Sequence, residues 1–192
     1  MLYFFFISSD HLPVMLSDLV VQIYDDQFKP SCLNNRPNIV LPGYALLLKG
    51  QLNISKKFEL KNHTFIKMTV VNSDGTLYCK NGESVMWFIP ADYCLIDLCE
   101  FIGDKLCSVL GRPGMHTVKE LMEKAHFNPK LQLPEPPCFM MVCLTDFFGG
   151  DWTVLIAVEY RGKVVFRFKV PSREKFLQVA ADQDYDQEQN SK

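Results

Sequence analysis

Seven cysteines, Cys32, Cys79, Cys94, Cys99, Cys107, Cys138 and Cys143, are the side chains of this 192-residue sequence with the widest range of chemistry. Thiolates can hold zinc, attack carbonyls or pair as disulfides, and the spacing decides among these. The paired C-x-x-C arrangement of a structural zinc site is missing, and no histidine follows at ligand distance, so no metal is expected. A nucleophilic cysteine needs a histidine beside it. His11, His63, His116 and His126 are widely separated, and no local pattern selects one cysteine as their partner. A Gly-x-Ser-x-Gly elbow, a phosphate-cradling glycine loop and a His-Glu-x-x-His pair are all missing too. The expectation is a protein that is not an enzyme and takes no cofactor. Two readings of the thiols remain, buried free cysteines or disulfides. The clustering of five of them between residues 94 and 143 of a β-rich chain favours disulfides and an oxidising compartment, with Cys94, Cys99, Cys107, Cys138 and Cys143 the candidates. The odd count leaves at least one thiol over.

Two sequons, Asn53-Ile54-Ser55 and Asn62-His63-Thr64, mark Asn53 and Asn62 as candidate glycosylation sites of a secreted or lysosomal protein. The net charge is −2, with Lys and Arg scattered rather than gathered in a stripe, so no nucleic-acid partner is expected. Met1 to Ser9 reads as a short apolar run followed by small residues, like the end of a signal peptide without its basic start. Residues 1–15 are therefore assigned to a partial signal peptide or N-terminal extension, 16–171 to one domain, and 172–192 to a polar acidic tail. Disorder is expected beyond about Ala181. No later stretch reaches the length of a membrane span.

The elements that must position these groups are mostly strands. Leu19 to Tyr24 is β-branched and aromatic, Asn38 to Leu41 ends at Pro42-Gly43, and Tyr44 to Leu48 is continuously apolar. His63 to Val70 alternates, Asn72-Ser73-Asp74-Gly75 and Asn81-Gly82 are turn signals, and Ser84 to Ile89 reads as a further strand. Asp151 to Tyr160 meets Lys163 to Val170 across Arg161-Gly162; Val164, Phe166, Phe168 and Val170 share one face of the second strand. Helical spacing of apolar residues predicts one helix over Leu95–Leu110, and the capping-box pattern Thr117-Val118-Lys119-Glu120 opens a second. The fold class is mainly β: a two-sheet β-sandwich or cup with an apolar cavity and one or two short helices. On a continuous helix Cys99 and Cys107 would lie about 12 Å apart, against roughly 4.4–6.8 Å for bridged Cα atoms. They are therefore not expected to pair.

The unusual segment runs from Pro134 through Cys138-Phe139-Met140-Met141-Val142-Cys143 to Gly150. Prolines open it and glycines close it, yet its middle is apolar. It reads either as an additional buried strand or as an exposed lip, led by Phe139, Met140 and Met141, that dips into a membrane or caps a bound tail.

The order of features from Leu16 to Val170 resembles the ganglioside GM2 activator-like branch of the MD-2-related lipid-recognition superfamily. The features are Ile39-Val40-Leu41-Pro42-Gly43, a strand ending in Lys49-Gly50, Trp87-Phe88-Ile89-Pro90, and Asp92-Tyr93-Cys94 leading into the cysteine-containing helix. Leu131-Gln132-Leu133-Pro134 and Gly150-Asp151-Trp152 follow, before the final hairpin. The resemblance implies a cup that binds, extracts and presents or transfers a lipid, a glycosphingolipid or phospholipid, without catalysis. It also implies transient contact with a membrane surface and service to a lysosomal glycosidase. It further implies a short bridge from Cys94 to Cys99, which leaves Cys107 to Cys138 or Cys143. The sequence departs from the family where Arg167 replaces the last-strand cysteine and Met115-His116-Thr117 replaces the pair after the helix.

An interaction or receptor-accessory protein of the same fold is the alternative, and a small lipid hydrolase a more distant one. For the leading reading, the lipid-binding residues are Leu46, Leu48, Phe65, Met68, Trp87, Leu155 and Phe168 on inward strand faces, with Phe139, Met140 and Met141 at the lip. The competing reading of the first seven is ordinary core packing.

Overall fold

The computed structural model describes residues 12–33, 36–133, 138–139, 142–143, 149–172 and 174–181. The chain is mainly β, and two sheets face each other with three short helices at one side. In chain order the first strands are β1 (Val14–Asp25), β2 (Cys32–Leu33), β3 (Arg36–Leu41) and β4 (Gly43–Ile54). β5 (Thr64–Asn72), β6 (Leu77–Lys80), β7 (Glu83–Ser84) and β8 (Leu95–Asp97) follow. Then come α1 (Leu98–Ile102), α2 (Asp104–Leu110), β9 (Gly114–Thr117), α3 (Val118–Ala125) and β10 (Lys130–Leu133). The chain continues through β11 (Cys138–Phe139), β12 (Val142–Cys143), β13 (Gly150–Tyr160), β14 (Lys163–Val170) and β15 (Leu177–Ala181).

The first sheet has the order β1-β4-β10, with β9 also on β4; the second runs β2-β3-β15-β13-β5-β6-β7, with β14 on β13 and β8 on β5. β1 and β4 pair antiparallel from Val14 opposite Ile54 to Asp25 opposite Gly43. Their register is interrupted between Ser17 and Val20, beside Asp18 with its positive φ of 53°. Such a bulge shifts the side-chain phase. Ala45 and Leu47 face inward on one side of it, Leu52 and Ile54 on the other, and Leu48 and Lys49 are left exposed between them. β13 and β14 meet across Arg161-Gly162, both at positive φ (49° and 77°), the conformation of a tight hairpin turn that glycine adopts without strain. A second register shift, between Val158 and Glu159, lets both Val165 and Phe166 reach the core.

The strand β15 lies beyond the domain boundary expected at residue 171. It pairs antiparallel with Gly150–Trp152 and parallel with β3, and its Leu177 is buried, so the domain extends to at least Ala181. The proposed N-terminal extension up to His11 and the tail beyond Ala181 lie outside the described residues.

The helical region differs from the single helix expected over Leu95–Leu110. Leu95–Asp97 is a strand on β5, and the Asp97 side chain then caps α1 by accepting from the backbone N–H of Cys99 at 2.8 Å and Glu100 at 3.1 Å. Gly103, at φ 83° and ψ 153°, separates α1 from α2. Eight residues along an unbroken helix would hold Cys99 and Cys107 apart. The break folds α2 back, brings their Cα atoms to 5.4 Å, and the two are joined as a disulfide. The expectation that they do not pair is thus corrected, because it rested on a continuous helix. The other bridge joins Cys94 to Cys79, Cα atoms 5.5 Å apart, rather than to Cys99. Cys79 comes from the paired strand β6, so the partner is set by the sheet rather than by sequence proximity. Cys138 and Cys143 oppose each other in the β11–β12 pairing, and their side chains lie outside the described set.

The second predicted helix is present as α3. Thr117 Oγ1 accepts from the Glu120 N–H at 3.1 Å, as its spacing predicts. Thr117→Ala is expected to lower stability by about 1 kcal/mol, and Thr117→Ser to restore most of it. Urea midpoints at unchanged slope measure the difference; equal midpoints for all three proteins would show that the cap carries no weight.

Candidate functional site

Inward-facing residues of the two sheets do not close completely on one another. Between them lies a chamber of about 310 Å³, and all sixteen side chains lining it are apolar. β1 and β4 contribute Val14, Leu52 and Ile54; β5 contributes Ile66 and Met68; β13 and β14 contribute Ile156, Val158, Val165, Phe166 and Phe168. Phe58 and Leu60, from the segment joining β4 to β5, and Leu98, Phe101 and Leu110, from α1 and α2, close the end. Cross-strand register explains the grouping: Met68 pairs with Ile156 and Ile156 with Phe168, so three strands present one face at one level.

A second chamber of about 650 Å³ lies between the first sheet, α2 and α3, lined mainly by Leu16, Leu19, Leu47, Leu106, Leu121, Phe127, Leu131 and Leu133. The two chambers share Leu52, Phe101 and Leu110 as walls. Phe101 is 65% exposed, so a large apolar ring stands unburied at their junction.

Of the inward residues expected from sequence, the structure brings Met68 and Phe168 together in the first chamber. Leu46 and Leu48 lie on the other side of β4, because the inward pair there is Ala45 and Leu47; Leu48 is 42% exposed. Phe65 and Leu155 likewise fall out of phase with Ile66, Met68 and Ile156. Trp87 is corrected most strongly: it is 96% exposed. The expected strand over Ser84–Ile89 ends at Ser84, whose hydroxyl lies 2.9 Å from the Met86 carbonyl and 2.7 Å from that of Ile89 and holds the chain in a turn. Ile89 and Met86 fold inward against Cys79 and Cys94, while Trp87 projects outward, edge-on to Phe88 at 5.7 Å. Met140 and Met141 lie outside the described residues. Phe139 is placed only as part of β11, so neither reading of that segment is decided.

Only Met68 and Phe168 of the sixteen wall residues belong to the expected set; Ile156, Val158 and Val165, together with Leu98 and Phe101, are among those missed. Phe166 and Phe168 on one face of β14 were the available signal, and carrying that face across the hairpin register reaches Ile156 and Val158.

Polar groups near the chambers are few. His116 on β9, opposite Leu52, lines the second chamber and is 6% exposed. Its Nε2 lies 3.1 Å from the Arg112 carbonyl, and its Nδ1 lies 3.7 Å from Glu120 Oε1. Lys124, donating at 2.8 Å, holds the Glu120 carboxyl below its usual range against the opposing effect of desolvation, with His116 and the Thr117 backbone adding to the lowering. Asn53 and Asn62 are both exposed, Asn53 near the end of β4 and Asn62 in the turn before β5. Cys32 is an exposed free thiol. Among the described residues, no three His, Cys, Asp or Glu side chains gather as a metal site would require.

The chain matches no known family model. No curated protein matches it.

Proposed function

We propose that this chain is a non-enzymatic lipid-binding protein that takes apolar tails between its sheets and presents or transfers the lipid. The carrying observation is the chamber walled entirely by apolar side chains. Its volume, like that of its neighbour, falls within the roughly 300–1,000 Å³ of ligand sites. Apolar walls around an unfilled space of about 310 Å³ lack packing partners on one side, a loss that bound hydrocarbon makes good. Each methylene of a lipid tail placed inside recovers roughly 0.8 kcal/mol.

The resemblance to the MD-2-related lipid-recognition superfamily supports the same reading, with a glycosphingolipid or phospholipid as cargo and a lysosomal glycosidase as a partner. The two disulfides and the exposed sequons support a secreted or lysosomal setting. Trp87 supplies a membrane contact. An indole that stands clear of the surface, with exposed Val85, Phe88 and Tyr93 nearby, suits the bilayer interface, where amphipathic rings concentrate.

Delipidated protein offered labelled glycolipid and phospholipid vesicles is expected to extract lipid stoichiometrically and unchanged. Released product would establish an enzyme instead, and no uptake of either lipid would remove the reading. Trp87→Ser is expected to weaken liposome adsorption about tenfold, or roughly 1.4 kcal/mol, without lowering thermal stability. A stable variant that adsorbs like the parent protein would move the membrane contact elsewhere.

A further inference from the structure

The segment joining β4 to β5 alternates between two surroundings. Phe58 and Leu60 are buried and wall the first chamber, while Lys57, Glu59 and Lys61 are exposed. The exposed side chains line an open cleft of about 550 Å³ against α2 and Arg112, and Phe58 and Leu60 border this cleft as well. Two side chains thus stand between a polar cleft and the apolar chamber. The Phe58 N–H donates to the Gly111 carbonyl at 2.9 Å, and a Cβ on Gly111 would lie 2.8 Å from the Phe58 oxygen. Glycine therefore lets the two chains approach closely. Lys57 precedes one end of that bond and Arg112 follows the other, so the contact sets both cations beside the same stretch of cleft.

The charges there are unevenly matched. Asp104 is engaged by Lys61 at 3.0 Å, and Glu59 by Arg161 at 2.9 Å. Both carboxylates of the cleft already have cations, and among the described residues no carboxylate pairs with Lys57 or Arg112. A guanidinium offers paired donors that match the oxygens of a phosphate, and an ammonium adds a compact charge.

We propose that the cleft is an anion subsite, in which Lys57 and Arg112 hold the phosphate of a lipid head group while the tail lies behind Phe58 and Leu60 in the first chamber. The assignment rests on the lipid-binding reading and narrows its cargo to acidic lipids. Both cations are exposed, so their attraction is modest and screened by salt, whereas the hold on the tail is not.

Titration calorimetry of the delipidated protein at low salt tests the subsite. The probes are dodecyl phosphate, dodecyl maltoside and inorganic phosphate, each amphiphile kept below the concentration at which it forms micelles. The parent protein is expected to hold dodecyl phosphate about tenfold more tightly than dodecyl maltoside, which corresponds to about 1.4 kcal/mol, and the gap should close as salt is added. Lys57→Gln/Arg112→Gln should bind the two amphiphiles alike, at the parent's affinity for the maltoside. Lys163→Gln/Lys169→Gln removes the same charge from exposed positions on β14 and should keep the preference. Equal binding of the two amphiphiles by the parent protein would overturn the subsite while leaving lipid binding intact. A preference that survives in Lys57→Gln/Arg112→Gln, or that is lost equally in the β14 variant, would overturn it as well. Inorganic phosphate bound as tightly as dodecyl phosphate would make the ligand a free anion and overturn the head-group assignment. Failure of both amphiphiles, together with failure to extract phospholipid or glycolipid, would remove the lipid-binding reading and the subsite with it.

Discussion

Met68→Trp is expected to cut lipid uptake about fiftyfold while the protein remains folded. Met68 lies at the middle of β5, paired with Ile156, and its side chain enters the 310 Å³ chamber. An indole there occupies space that a tail would otherwise fill. Excluding three methylenes at roughly 0.8 kcal/mol each costs about 2.4 kcal/mol, which is the expected factor. The substitution fills a void rather than crowding a close-packed core, so stability without lipid should hold or rise. Leu48→Trp is the matched control: Leu48 is 42% exposed on β4 and should change neither uptake nor stability. Titration of delipidated protein with vesicle lipid, alongside thermal melts, measures both. Equal loss of uptake in the two variants, or full uptake by Met68→Trp, would show that the space between the sheets is not where the tail goes.

The contrast between Met68 and Leu48 also shows which parts of the architecture sequence makes legible. The existence of strands was readable wherever polar and apolar residues alternate. β14 is the clearest case, with Phe166 and Phe168 inward and Arg167 exposed. The phase of β4 was not, because Tyr44 to Leu48 is apolar without a break and either half of it could face the core. A one-residue choice there exchanges Leu46 and Leu48 for Ala45 and Leu47. The phase is decided by pairing with β1, where Val21 and Ile23 oppose Leu47 and Ala45, a long-range contact that no local window contains. Trp87 misled for a related reason. Its apolarity suggested burial, but Ser84 closes a turn and the inward places go to Met86 and Ile89.

Helix signals were reliable where a side chain made the local bond itself, as Thr117 does at the start of α3. They failed where glycine allowed a departure. Apolar spacing continues smoothly from Leu98 through Ile102 to Leu106, and only the φ of 83° at Gly103 breaks the axis. The chambers owe part of their walls to that break: Phe101 and Leu110, on either side of it, border both cavities. A period-based reading merges α1 and α2 and therefore loses both the Cys99–Cys107 bridge and the partition between the chambers.

Removal of the Cys79–Cys94 bridge is expected to be the most damaging cysteine change. Both residues are buried, Cys94 fully, and they pack with Ile89 beneath the segment that carries Trp87. The bridge closes fifteen residues, and a loop of that length restricts the unfolded chain by about 3 kcal/mol. For a protein of this size each kcal/mol corresponds to about 2–4 °C, so Cys79→Ala/Cys94→Ala should melt roughly 6–12 °C lower. Cys99→Ala/Cys107→Ala removes a bridge of eight residues, worth about 2.5 kcal/mol on the same relation, and should cost somewhat less. Cys32→Ser, at an exposed free thiol, should cost nothing measurable. Only the first pair anchors the turn that projects Trp87, so only its loss should also weaken liposome adsorption at temperatures where the protein remains folded. Non-reducing peptide mapping provides the parallel test of connectivity. Cys94 found joined to Cys99 would refute the arrangement, and melting points independent of the Cys79–Cys94 pair would show that the bridge does not hold this corner of the sheet.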